Sequence, residues 1–113
     1  MLDLNKKALA KRDEYREGVK SGAEEVDDYH DYNQKFSFFG FVDCVVGNVK
    51  YVMFSANGDI VAWDYFWTGA YEDPIAKEWL RMCTGVDVAL DFGAYTGCYV
   101  MMVCMVNRYC NVY

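Results

Sequence analysis

Apolar positions are sparse over the first third of the chain and dense after it. In residues 3–20, Leu4, Ala8, Tyr15 and Val19 form a thin stripe at helical spacing, ringed by Lys6, Lys7, Lys11, Arg12 and Arg16. That pattern predicts a surface helix whose end is weakened by Gly18 and Gly22. Ser21 to Gln34 then carries Glu24, Glu25, Asp27, Asp28 and Asp31 with no basic residue and reads as a solvated acidic linker. Ordering a backbone residue costs about 1–2 kcal/mol, and these 30 or so residues hold few large apolar groups to offset it. They are expected to pack loosely, so residues 1–35 read as a charged helix plus linker, separate in character from 36–113.

From Phe36 onward aromatic residues crowd together, and such residues favour strands. The reading is three antiparallel strands near 37–45, 49–55 and 60–65, joined by Gly47-Asn48 and by Asn57-Gly58, a strong hairpin signal. A helix over 73–83 follows, with Asp73 as its cap, Pro74 in its first turn, Gly85 beyond its end, and Ile75, Trp79, Leu80 and Met82-Cys83 as its apolar face. Val86 to Asp91 alternates little, which predicts a strand buried on both faces, as in a parallel sheet. A turn from Gly93 to Gly97 leads into an apolar helix from about Tyr99 to Arg108, and Asn111-Val112-Tyr113 begins another strand. The fold class expected is α/β: a surface helix, a short antiparallel meander, then a strand–helix–strand unit.

Length and charge narrow the function. With 113 residues the chain suits one domain, and 11 Lys+Arg against 17 Asp+Glu give a net charge of −6. No basic cluster is present to displace counterions, which argues against nucleic acid as a partner. The five cysteines are odd in number and the first residues lack the apolar core of a signal peptide, so reduced thiols and a cytoplasmic setting are expected. Phe92 to Val106 carries no charge and contains the Gly93/Gly97 pair seen in packed membrane helices. It falls short of the roughly 20 apolar residues a bilayer requires, so no membrane span is expected. His30 stands alone among Asp27, Asp28 and Asp31, and Cys83, Cys98, Cys104 and Cys110 contain no Cys-x-x-Cys pair, so no metal site is assigned. Cys98, Cys104, Met101, Met102 and Met105 read as packing residues of a buried helix.

Chemistry concentrates in Val88 to Tyr99. A buried strand ends in Asp91, glycines stand at 93 and 97, and a helix begins. This is the layout of a ligand cradle at the carboxyl end of a parallel strand. Gly93 would let the backbone approach a ligand, Gly97 would let the helix start close against the strand, and the first helix amides would face the ligand. A strand-end acid suits an ammonium or hydroxyl group better than a bare phosphate, and the pattern is not Gly-x-Gly-x-x-Gly. Asp91-Phe92-Gly93 also spells the magnesium motif of protein kinases, but no other kinase signature accompanies it.

The run Asp91-Phe92-Gly93-Ala94-Tyr95-Thr96-Gly97-Cys98-Tyr99 resembles the first motif of class I S-adenosylmethionine-dependent methyltransferases, most closely the FkbM type. Gly69-Ala70-Tyr71-Glu72, the helix after it and the preceding aromatic strands are similar to that family's lead-in, so the likeness spans about residues 45–113. It implies the start of a Rossmann-like sheet, with 36–113 a meander leading into a methyltransferase domain truncated at its second strand. It further implies S-adenosylmethionine as cofactor, held by Asp91, Gly93, Ala94, Tyr95, Thr96 and Gly97 with Glu72 nearby. The reaction implied is O-methyl transfer to a sugar or lipid-like hydroxyl acceptor, with this chain an amino-terminal portion that is inactive as it stands. The resemblance assigns no catalytic residue. Tyr95 departs from the family's usual Asn, being larger and lacking the paired donor and acceptor of an amide. The alternative is a small non-catalytic α+β interaction module that docks on a partner chain completing its sheet.

Overall fold

The computed structural model describes residues 2–26 and 28–113. Asp27, one acid of the expected linker and of the His30 group, lies outside them. Five helices, an antiparallel pair of strands and a parallel pair make up a mixed α/β architecture among these residues.

Helix α1 (Leu2–Ser21) bears out the first element, but it is not peripheral. Ala8 and Tyr15, two turns apart, are fully buried and belong to the same apolar cluster as Val42, Trp67 and Met102. Arg16 ties α1 to the end of helix α3 (Ile60–Trp67): Nε donates to the Trp67 carbonyl at 2.9 Å, and Nη2 to Phe66 at 2.8 Å and Tyr65 at 3.2 Å. The last carbonyls of a helix have no partner within it, so a cation placed there both satisfies them and meets the negative end of the dipole. Burial lowers the Arg16 pKa from its ordinary value. Asn5 brackets Phe39, donating from Nδ2 to its carbonyl at 2.6 Å and accepting from its amide at 3.0 Å. The expectation of loose packing is overturned by these contacts.

The expected linker contains helix α2 (Tyr29–Lys35). Tyr29 and Tyr32, three residues apart, face Tyr15 and Trp67, and the buried Asn33 accepts from Trp67 Nε1 at 3.0 Å. Charge density hid this face: Glu25, Asp28 and Asp31 are exposed while the tyrosines pack inward.

Strands β1 (Gly40–Val46) and β2 (Val49–Ser55) form the expected hairpin, with Val46 opposite Val49 and Gly47 at φ 56° in the turn. Val42, Cys44, Val46, Tyr51, Met53 and Ser55 point into the core, while Phe41 and Phe54 pair on the outer face. The third antiparallel strand expected near 60–65 does not form. Residues 60–65 lie in α3, capped by Asp59, whose carboxylate accepts from the amides of Val61 at 2.9 Å and Ala62 at 3.3 Å. Asn57 does take positive φ, but Gly58 does not, so the two-residue hairpin turn never forms. Val61, Ala62, Tyr65 and Phe66 are buried at helical spacing.

Helix α4 (Asp73–Cys83) matches the expected bounds with Pro74 in its first turn, but its capping position is Glu72, at φ 43°, rather than Asp73. Its buried stripe is Ala76, Leu80 and Cys83, with Ile75 and Met82 exposed. The parallel pair is shorter than expected. Strand β3 (Val88–Ala89) pairs with β4 (Asn111–Val112), and the ladder is extended by Asn111 N to Asp87 O and Asp91 N to Tyr113 O. Only Ala89 is buried. Val88 and Leu90 are about half exposed, so burial on both faces does not hold. Between the strands runs helix α5 (Cys98–Val106), with Cys98, Met102 and Val103 buried, while Met101, Cys104 and Met105, expected to be packed, lie at the surface. Asn107 Nδ2 fastens its end to the carbonyls of Cys83 and Val86. Among the described residues no helix is long and apolar enough to cross a membrane.

Candidate functional site

The β3–turn–α5–β4 unit puts Asp91 where the parallel ladder ends. Its backbone amide is held by Tyr113, and its carboxylate is turned inward, with Oδ2 buried and no hydrogen-bond partner. Thr96, across the turn, also has a buried oxygen without a partner. A buried polar atom left unpaired costs about 1–3 kcal/mol, so the turn holds two oxygens whose burial is uncompensated.

The turn itself is built from left-handed residues: Gly93 at φ 78°, Tyr95 at φ 48° and Gly97 at φ 74°. It is closed by Gly97 N donating to Ala94 O at 2.7 Å, and Gly97 stands at the start of α5, accepting from Met101 N at 2.9 Å. A Cβ on Gly93 or Gly97 would meet nothing within 4 Å. The requirement for glycine at 97 is therefore conformational, not the close helix–strand approach expected from the sequence. Tyr95 is 70% exposed, with its ring at the surface. Phe92 is 90% exposed.

Beside the turn lies an open cleft of about 600 Å³ between α4 and the end of β3. Glu72 and Asp91, distant in sequence, both line it, whereas none of residues 93–97 does. Tyr99, in the first turn of α5, donates its hydroxyl to Glu72 Oε2 at 2.6 Å. Burial first and that carboxylate second push the Tyr99 phenol well above its ordinary range. Trp79 donates from Nε1 to the Tyr99 carbonyl at 3.1 Å, and the two rings meet edge to face at 5.8 Å. Tyr99 and Trp79 are members of the site that sequence reasoning treated only as motif flank and apolar face. Trp79 sits seven residues after Glu72 and Tyr99 two residues after Gly97, but only packing of α4 against α5 brings them together.

The chain was compared with protein-family models, curated proteins and solved structures, and it matches none.

Proposed function

We propose that the β3–turn–α5–β4 unit is an S-adenosylmethionine cradle of the class I methyltransferase type, serving O-methyl transfer to a sugar or lipid-like hydroxyl. The observation that carries this reading is the position of Asp91. It is an acid at the carboxyl end of a parallel strand, with an unpaired buried oxygen, followed at once by a left-handed glycine turn and a helix start. When bound, S-adenosylmethionine supplies a methyl group on a positively charged sulfur. The residues present suit such a group: Asp91 can accept from an amino or hydroxyl group, Thr96 can donate or accept, and the Gly93–Gly97 backbone leaves open space beside them. Glu72, fixed by Tyr99, adds negative charge toward a cationic ligand. The contribution of these groups to methyl transfer is binding and orientation, which dominates displacements of this kind.

The test is an S-adenosylmethionine titration of the isotope-labelled chain followed through its amide resonances. Movement of the Asp91–Tyr99 amides is expected. Asp91→Asn should weaken the response at least about tenfold, the scale of one lost charge-assisted hydrogen bond. Gly93→Val, strained at its positive φ, should weaken it too. An unmoved turn, or equal affinity in both variants, overturns the assignment.

A second reading, a non-catalytic module docking on a partner chain, is favoured by one observation: β3 pairs only with β4 among the described residues, and the apolar side chains of Val88, Leu90 and Phe92 are exposed around it. An open strand edge is a template for pairing with another chain. Under this reading S-adenosylmethionine leaves every amide unmoved.

A further inference from the structure

The cleft beside Asp91 has a composition of its own. Ile75, Trp79 and Met82 give it an apolar wall on α4, Leu90 lies across from them, and no Lys or Arg lines it. Its acids are differently placed. Glu78 is neutralised by Arg81 at 2.5 Å, so the uncompensated charge belongs to Glu72 and Asp91. The hydroxyl of Tyr99 and the ring N–H of Trp79 are both engaged, on Glu72 and on the Tyr99 carbonyl. Neither side chain has a donor left for an incoming anion, and both aromatic side chains line the cleft. Aromatic faces beside carboxylates attract organic cations, through the ring quadrupole and the charge together.

These properties select one ligand chemistry. An anion meets two carboxylates and no base. A neutral apolar molecule leaves the charge of Glu72 and Asp91 uncompensated. A hydrated inorganic cation gains nothing from Ile75, Met82 and Leu90. We propose that the cleft binds an amphipathic organic cation, with an amine or quaternary ammonium toward Glu72, Asp91 and the Trp79–Tyr99 corner and its alkyl or aryl body along α4. It shares Glu72 and Asp91 with the cradle reading and goes beyond it in the apolar wall on α4, since none of residues 93–97 lines the cleft. A cation held there competes with S-adenosylmethionine for those two carboxylates.

The experiment titrates the labelled chain at low ionic strength with octyltrimethylammonium, octyl sulfate and tetramethylammonium, and separately with S-adenosylmethionine. Octyltrimethylammonium should shift the Ile75–Met82 and Leu90 amides and alter indole fluorescence in a way that Trp79→Phe removes. Tetramethylammonium should bind about tenfold more weakly for want of buried apolar area, and octyl sulfate more weakly still. Glu72→Gln with Asp91→Asn, both close in shape to the native side chains, remove the attracting charge and should reduce octyltrimethylammonium affinity about tenfold. Equal binding of octyl sulfate, an unaffected double variant, or shifts confined to the outer face of the hairpin at Phe41 and Phe54 would each overturn the proposal. S-adenosylmethionine moving only the 91–99 amides, or nothing, leaves the cleft's result standing by itself.

Discussion

Between the hairpin and α3, three ionisable side chains are sealed into the core. Cys44, Tyr51 and Tyr65 are all buried, and the Tyr51 hydroxyl is 3.0 Å from that of Tyr65. Burial raises the Cys44 thiol from 9.0 to about 12. Burial likewise raises the Tyr65 phenol from 10.0 to about 12, against a smaller opposing effect of its bond to Tyr51. In each case the folded pKa lies above the unfolded one. In that window the unfolded chain has lost a proton that the folded chain keeps, so raising the pH favours unfolding. Stability should be level up to pH 9 and fall steadily from there towards pH 12. Denaturant unfolding under reducing conditions across this range checks it. Cys44→Ala should lessen the first part of the decline, from pH 9 to 10, and Cys83 and Cys98, also raised by burial, contribute the rest of it. Constant stability through pH 11 in the native protein would contradict the account.

At the scale of elements, α3 is the instructive case. Ile60-Val61-Ala62-Trp63-Asp64-Tyr65-Phe66-Trp67 is rich in residues that favour strands, yet it is helical. Asp59 supplies an acceptor for the first free amides, Arg16 supplies donors for the last free carbonyls, and the hairpin together with α1 covers the buried side between. Local propensity is worth tenths of a kcal/mol per residue, whereas burying one large side chain is worth about 1.5–3 kcal/mol. The packing decides. Asp59→Ala should destabilise the protein by about 1 kcal/mol, with Asp59→Asn retaining most of that stability. Urea midpoints of the two variants measure the difference. An Asp59→Ala protein as stable as the native one would mean that the cap does not support the helix.

For the molecule as a whole, the amino-terminal helices are structural members of the core. Ala8, Tyr15 and Tyr29 share one buried cluster with residues of both hairpin strands, α3, α4 and α5. Trp67, fully buried, rests against Tyr15, Tyr29 and Tyr32 and donates to Asn33. Removing residues 1–35 would expose Trp67, leave its N–H without Asn33 and uncover the end of α3 that Arg16 holds. The shortened chain should lose its cooperative thermal transition and its near-ultraviolet circular dichroism. A sharp melt in the deletion protein would show that the remaining elements suffice.

The sequence by itself determined those elements whose signals are local and agree with one another. Helix α1 follows from its stripe, the β1–β2 hairpin from aromatic content on either side of Gly47-Asn48, α4 from Pro74 and its apolar period, and the order strand, glycine turn, helix, strand from residues 88–112. The left-handed turn was legible because Gly93 and Gly97 are the residues that such φ values favour. What each element buries was decided only by tertiary structure. Burial is a property of pairs distant along the chain: Arg16 with Trp67, Asn33 with Trp67, Asn5 with Phe39. Neither charge density over 21–34 nor aromatic content over 60–65 carries that information, so α2 read as a linker and α3 as a strand. The same holds for the cleft. Glu72, Trp79, Asp91 and Tyr99 come together only when α4 and α5 pack around the end of β3, and side-chain contacts across 20 or more residues are fixed by packing rather than by local spacing.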